Sequence, residues 1–281
     1  MTIGIVADST GCVPADLAAE LGIEVVPLSV AMDGVTYHDG VDLTPAEFYR
    51  RLAAGPPFPT TSAAGVSDFV AAYRRMADRG YPEIVSIVLS GGLSATYDAA
   101  RTAAQQVDVP VRVVDSRTVA APYGMAVVAA ARRAAEGASA DEVVARTQEA
   151  AAASILLFVI PDLTHLYRGG RINAVQAGIG NLLRITPVVT IRDGAVTPIA
   201  RERTLPRALD RMLAIAGEVA DGQRTTVWAM EAGAHDLAAQ LGDRLAAEID
   251  VADFRMTTFT PVMGAHTGPG TAGFGIMPGS L

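Results

Sequence analysis

The chain contains no lysine, because all 22 of its basic residues are arginine. This absence excludes a Walker-A phosphate loop, a Schiff-base lysine and a pyridoxal phosphate anchor, all of which need the lysine amine. The single cysteine, Cys12, excludes an intrachain disulfide and is typical of a reducing compartment. The four histidines stand at no metal-ligand spacing, so the sequence does not predict a zinc site or any other metal site.

Long apolar runs are also missing. The longest uncharged apolar stretches, 118–131 and 150–160, are shorter than the ~18–20 apolar residues that span a bilayer. The N-terminus has no basic region and reaches an acid at Asp8, which does not resemble a signal peptide. We therefore expect a soluble, cytoplasmic protein. Its net charge of −8 does not suit a nucleic-acid surface, so no nucleic-acid partner is expected.

What the sequence has is a regular alternation of apolar runs and helix signals. The 281 residues are half apolar, enough for one large or two modest domains. Over 1–153 the order strand, helix, strand, helix predicts a three-layer α/β/α domain with a parallel sheet. Over 154–281 a hairpin around Asp193-Gly194 and further strands predict an α/β domain with a mixed sheet. Capping boxes are predicted at Thr44 and Ser139. The sequence also predicts one strand over 23–30 and a helix over 174–183.

Candidate chemistry follows from the rule that ligands bind at the carboxyl ends of parallel strands. Three segments fall there: 8–10, 90–96 and 115–116. Ser94 stands where a glycine-rich turn opens a helix, so it is either a helix N-cap or part of an anion site. Asp8 is interpreted as a loop acid that caps a helix rather than as a metal or phosphatase carboxylate.

For each of the other polar residues, the sequence allows two interpretations, one structural and one in ligand binding. Thr61 and Ser62 either form a polar loop or donate to a carboxylate or phosphate. His266, flanked by glycines, is either a turn histidine or a ligand group, because glycine permits close approach of a ligand. Arg171, Arg201 and Arg203 either balance the charge of a ligand or lie on a solvated face. The string Gly-x-Gly-x-x-Gly at 268–273 is not a dinucleotide site, because only eight residues follow it.

Several of these motifs occur together in one known family. They are the segments 8–10, 59–62, 90–97, 114–116, 166–172, 187–198 and 266–270. In this order and spacing the chain resembles the DegV family, which includes the fatty-acid-binding subunits of bacterial fatty-acid kinases. The resemblance covers nearly the whole chain.

The resemblance implies two α/β domains, with a lipid tunnel and a head-group site at the domain interface. By motif, the carboxylate of a long-chain fatty acid would be held by Thr61, Ser94 and His266, with Ser62 nearby. Burial of the acyl chain provides ample binding energy, so the head group needs only to be satisfied, most readily by a protonated histidine. Arg168, Arg171 and Arg203 would flank the mouth of the site or the docking surface of a partner.

The resemblance further implies that the chain has no catalytic residues and no cofactor of its own. A kinase partner would supply ATP and magnesium and convert the bound acid to an acyl phosphate for phospholipid synthesis. The protein would be a monomer that contacts the membrane surface transiently. Two alternatives stay open: a serine hydrolase that uses Ser94 and His266, and a binder of another small anionic amphiphile.

Overall fold

The computed structural model describes residues 3–161, 163–171 and 186–281. The helices in these ranges are α1 (Ala15–Glu20), α2 (Pro45–Leu52), α3 (Val66–Asp78), α4 (Thr96–Ala104), α5 (Ala120–Ala135), α6 (Ala140–Ala153), α7 (Thr164–Arg168), α8 (Leu205–Ala220), α9 (His235–Glu248) and α10 (Pro261–Thr267). The strands are β1 (Gly4–Asp8), β2 (Glu24–Val26), β3 (Ser29–Met32), β4 (Val35–His38), β5 (Thr60–Ser62), β6 (Ile84–Val88), β7 (Val111–Asp115), β8 (Ile155–Val159), β9 (Thr186–Arg192), β10 (Ala195–Glu202), β11 (Thr225–Glu231), β12 (Val251–Thr258) and β13 (Ala272–Pro278). The helix predicted over 174–183 lies outside the described residues.

A four-stranded parallel sheet organises the N-terminal half, in the order β2-β1-β6-β7. Strands β1 and β6 are buried along their whole length, as expected for strands that are covered on both faces. Helices α3 and α4 pack on each other and on this sheet, and so do α5 and α6. The predicted fold class is confirmed. The capping box at Ser139 is complete, whereas at Thr44 only half forms, because Glu47 binds Arg50 and Arg51 instead.

A six-stranded mixed sheet organises the C-terminal half, in the order β10-β9-β8-β13-β11-β12. The predicted β9–β10 hairpin is confirmed. Its turn residues Asp193 and Gly194 have φ values of 50° and 76°, the left-handed conformation that a two-residue turn of type I′ requires. Strand β8 is buried on both faces: Leu156 and Phe158 pack into one core, and Leu157 and Val159 pack into a second core beneath α8.

Helix α5 contacts both sheets, since it packs on β1 and also on β8, β11 and β13. Thirteen of its residues are buried, and most are alanine or glycine, which lets neighbouring elements come close. A Cβ at Gly124 would lie 2.3 Å from the carbonyl oxygen of Gly11 and 2.6 Å from Cζ3 of Trp228. The two halves of the chain therefore share one layer of helix.

A small antiparallel sheet, β4-β3-β5, was not predicted. The single strand predicted over 23–30 is wrong: β2 joins the parallel sheet, and β3 turns away to form the small one. Pro27 lies between them and has no N–H for a sheet ladder. The next backbone N–H, that of Leu28, donates to Ser9 Oγ at 3.2 Å. Among the described helices, none is both long and apolar enough to cross a bilayer.

Candidate functional site

A cavity lies at the carboxyl ends of the parallel strands and faces the mixed sheet. The apolar lining consists of Leu28, Ala63, Leu89, Leu93, Val119, Leu156, Phe158, Leu166, Ile191, Val196, Phe259, Val262 and Met263. The polar lining consists of Thr10, Thr61, Ser62, Ser94, Arg171, His266 and Thr267. The structure thus places five of the seven predicted site residues around one apolar cavity.

One side-chain hydrogen bond joins two polar residues of this lining, Thr61 and His266. Thr61 Oγ1 and His266 Nε2 share a hydrogen bond of 2.8 Å across 205 positions of sequence. Thr61 lies on strand β5, not in a loop, and His266 lies in the last turn of α10, not in a free turn. The sequence does carry a signal for α10, since Thr260-Pro261 places a capping residue before a proline at the first helical position.

The imidazole of His266 is neutral at pH 7. Burial, the positive charge of Arg171 and the nearby His165 lower the pKa of His266 from 6.5 to about 4. Its second ring nitrogen, Nδ1, is buried with no hydrogen-bond partner among the described residues. His266 is therefore not protonated at neutral pH, although a protonated histidine would suit a carboxylate best.

Ser94 lines the cavity, but its interpretation as a helix N-cap is wrong, because the N-cap of α4 is Ala95. Its Oγ accepts from the backbone N–H of Thr96 at 3.3 Å and shares a hydrogen bond of 2.9 Å with Thr96 Oγ1. These bonds leave part of the hydroxyl's capacity free, because a hydroxyl has one donor and two acceptor positions. The role of Ser94 in an anion site stays a prediction.

Arg171 lies at the point where the cavity meets the surface. Its Nε donates to the carbonyl of Leu93 at 3.2 Å, and its Nη1 donates to the carbonyl of Gly169 at 2.6 Å. Both acceptors are neutral, and no ion pair to Arg171 forms within the described ranges. Ser94 and Arg171 also line an adjoining surface cleft. A positive charge that no described acidic residue pairs therefore lies at the mouth of the cavity.

The remaining two predicted arginines lie outside the cavity lining. The guanidinium of Arg168 stacks over the ring of Phe58, with 4.0 Å from Cζ to the ring centre. Arg203 is exposed in the connection between β10 and α8. A role for either in partner binding stays a prediction.

Two buried carboxylates support the floor of the cavity. Asp8 caps the turn at Ser9–Gly11, as predicted, and accepts from Thr10 and from the N–H of Leu89, at 2.7 Å for Leu89. Burial raises the pKa of Asp8 to about 6. Asp39, which sequence reasoning missed, accepts from Ser9 Oγ at 2.6 Å and from the N–H of Val262 at 2.9 Å. Asp39 thereby ties helix α10 to the loop after β1.

The geometry does not favour a serine hydrolase. His266 bonds Thr61, and Ser94 bonds Thr96, so the histidine is not engaged as a base for the serine. A triad also needs an acid on the far ring nitrogen, and Nδ1 has no such partner in the described part of the chain. The described residues contain no cluster of His, Cys, Asp and Glu that could hold a metal ion.

Comparison with known proteins identifies the family. A family model described as "Uncharacterised protein, DegV family" matches residues 2–279. The chain belongs to the DegV family. A DegV domain-containing protein of Halalkalibacterium halodurans is 36% identical over 273 residues, which cover 96% of each chain.

Solved DegV structures share the whole fold. A DegV family protein from Thermus thermophilus, described as binding fatty acid, has a TM-score of 0.93 and 35% identity over 99% of this chain and 100% of its own. DegV from Bacillus subtilis, described as a fatty acid binding protein, also has a TM-score of 0.93, with 29% identity and the same coverage. The DegV relatives thus include proteins that bind fatty acids.

Proposed function

We propose that this DegV protein is a carrier that holds a long-chain fatty acid in the cavity, with the carboxylate at the cluster of Thr61, Ser94 and His266. The observation that carries the proposal is the composition of the lining: most of it is apolar, and the rest consists of hydroxyls, an imidazole and a guanidinium. Two of these polar residues, Ser94 and Arg171, also line the adjoining surface cleft. Such a lining matches a molecule with a long apolar tail and one anionic end.

The energetics favour an acyl chain. Burial of one CH₂ group contributes about 0.8 kcal/mol, so ~15 methylenes contribute on the order of 12 kcal/mol before costs. Association and ordering of the chain offset several kcal/mol of this sum. The tail therefore accounts for tight binding, and the head group has only to avoid an unpaired buried charge.

The polar mouth supplies what the head group needs. The hydroxyls of Thr61 and Ser94 are hydrogen-bond donors in the cavity wall, and Arg171 brings a positive charge that no described acidic residue neutralises. A carboxylate that accepts from these groups would be held without full neutralisation by the histidine.

We further propose that the carrier presents this carboxylate to an ATP-dependent kinase partner, which forms the acyl phosphate. Ser94 and Arg171 support this step, because they line both the cavity and the adjoining surface cleft, so the head group lies within reach of a partner. The fatty acid is the substrate of the partner, and ATP and magnesium would be bound there.

Native mass spectrometry after purification from a bacterial host tests the binding step. We expect one fatty acid per chain, identified after organic extraction, and uptake of added fatty acid by the delipidated protein. A protein that stays bare and takes up no added fatty acid would overturn the carrier function. The serine of a carrier should also fail to react with a fluorophosphonate probe.

Reconstitution with a candidate fatty-acid kinase tests the presenting step. Acyl phosphate, trapped as the hydroxamate, should form only when kinase, ATP, fatty acid and this protein are all present. Equal product without the protein would contradict the presenting role and leave the binding role intact.

A further inference from the structure

Two adjacent glycines, Gly169 and Gly170, form the turn after α7, and a different structural constraint applies at each position. Gly170 has a φ of +69°, which L side chains rarely adopt, and a Cβ there would meet no atom within 4 Å. Gly169 has φ −72° and ψ −7°, an ordinary helical conformation that any residue adopts. The backbone therefore requires glycine at 170, and something else requires it at 169.

The imidazole of His266 occupies the space beside Gly169. A Cβ at Gly169 would lie 2.2 Å from Nδ1 and 2.9 Å from Cε1 of that ring. The backbone N–H of Gly169 is fixed by its bond to the carbonyl of His165 at 2.9 Å, so the turn cannot retreat freely. The α carbon of Gly169 is thus the surface against which the ring rests.

This contact distinguishes the two ring nitrogens. Nε2 has a partner, Thr61 Oγ1, whereas Nδ1 is buried and has no partner among the described residues. The carbonyl of Gly169 accepts from Arg171 Nη1, which brings a positive charge to the residue that faces Nδ1. A positive charge stabilises a lone pair and disfavours an N–H at that position.

We propose that Gly169 is a positioning residue that holds His266 as the neutral tautomer with its proton on Nε2. In that tautomer Nε2–H donates to Thr61 Oγ1, so the hydrogen of the Thr61 hydroxyl is free to donate to a ligand. Thr61, not His266, is then the group that touches the carboxylate. This inference rests on the proposed fatty-acid site only for the identity of the ligand.

The tautomer can be measured without any ligand. Long-range ¹H–¹⁵N NMR spectra of the ¹⁵N-labelled, delipidated protein at pH 7.5 distinguish the two neutral tautomers from a charged ring. The signal of His266 is identified by its loss in His266→Gln. We expect the pattern of an Nε2–H ring. The pattern of an Nδ1–H ring or of a charged ring would overturn the proposal, whether or not the protein binds fatty acid.

A double-mutant cycle tests the positioning by Gly169. We expect Gly169→Ala to weaken fatty-acid binding at least tenfold, because the added methyl group displaces the ring. In the His266→Ala background the ring is gone, and the same substitution should change the affinity less than twofold. Gly217→Ala in α8 is the matched control, since a Cβ there meets no atom within 4 Å, and it should change the affinity less than twofold.

The outcomes of the cycle separate the two proposals. An equal loss from Gly169→Ala in both backgrounds would mean that the glycine serves only the turn, and would overturn the positioning role. A wild-type protein that binds no fatty acid would overturn the proposed function, and the NMR arm would still test the tautomer. Circular dichroism spectra that match the wild type are required of each variant, and the tautomer pattern of Gly169→Ala provides the second measurement if its affinity is altered by misfolding.

Discussion

Ser90 and Gly194 join the two sheets directly: the Ser90 hydroxyl donates to the carbonyl of Gly194 at 2.8 Å. Ser90 follows β6 of the parallel sheet, and Gly194 forms the turn of the β9–β10 hairpin. A Cβ at Gly92 would lie 2.8 Å from the same carbonyl, so the glycine turn and the hairpin are in close contact. The hairpin carries Ile191 and Val196 of the cavity wall, and this contact therefore fixes one wall of the cavity.

Ser90→Ala should loosen that wall. The substitution removes a buried hydrogen bond and leaves the Gly194 carbonyl without its donor, at a cost of about 1–2 kcal/mol. We expect a lower midpoint of urea unfolding, measured by circular dichroism. Ser67→Ala on the exposed face of α3 is the control and should stay within about 0.5 kcal/mol. A Ser90→Ala midpoint equal to the wild type would show that the contact adds nothing.

Thr61→Val should weaken binding of a fatty acid by roughly tenfold or more, because valine has the shape of threonine without the hydroxyl that donates to the carboxylate. Thr61→Ser keeps the hydroxyl and should stay within a few-fold of the wild type. Displacement of a fluorescent fatty acid measures both variants. Equal affinity of the valine and serine variants would show that the Thr61 hydroxyl does not contribute to binding of the carboxylate.

Arg171→Leu should also weaken binding of a fatty acid, by roughly three- to tenfold, because it removes a positive charge from the mouth of the cavity. Arg203→Leu should leave that affinity within twofold of the wild type, since Arg203 does not line the cavity. The same displacement measurement, repeated at high salt, compares the two. An equal loss from both would mean that long-range charge, not the position of Arg171, controls the affinity.

His266 should make the empty protein less stable as the pH falls. Its pKa is lowered from 6.5 to about 4 in the folded state, so between these values the unfolded chain binds more protons. The stabilising contribution is complete above pH 6.5 and is lost as the pH falls toward 4. Because the ring is not fully buried, we expect a loss of only about 1 kcal/mol from pH 7.5 to pH 5, relative to His266→Gln. The free energy of unfolding is measured with urea at both pH values. The same pH dependence in the wild type and in His266→Gln would contradict this prediction.

Asp8 should act in the opposite direction. Its pKa is raised from 3.8 to about 6, so the folded state binds more protons in that window, and stability is lost as the pH rises through 6. From pH 4.5 to pH 7.5 the wild type should lose about 2 kcal/mol relative to Asp8→Asn, which does not titrate. The measurement is urea unfolding followed by the fluorescence of Trp228, the single tryptophan. The same pH dependence of the unfolding free energy in both proteins would contradict the raised pKa of Asp8.

Much of the fold could be predicted, because long periodic segments carry their own signal. The strand and helix order of the parallel sheet, and the hairpin at Asp193-Gly194, follow from local pattern and turn chemistry. The strand-end rule also brought Ser94 to the right edge of the sheet. The mostly apolar segment over 23–30 concealed a change of sheet at Pro27, because periodicity alone does not reveal a turn between two strands.

The core of the site could not be predicted from local pattern. Thr61 and His266 lie on a three-residue strand and a seven-residue helix, which are too short to show a periodicity. Their contact depends on tertiary packing across the chain, and only the family resemblance paired them. Gly169 gave no separate signal, because the lack of room beside His266 exists only in the folded molecule.

The position of α5 between the two sheets limits how the cavity can exchange its contents. A hinge motion that swung the halves apart would strip one side of a helix with thirteen buried residues and expose it to water. Large apolar interfaces of this kind resist rigid-body opening. Exchange of a ligand should therefore proceed by small local displacements at the mouth, around the turn after α7 and the tip of the β9–β10 hairpin. The protein would then release one ligand and bind the next while its two halves stay packed against each other.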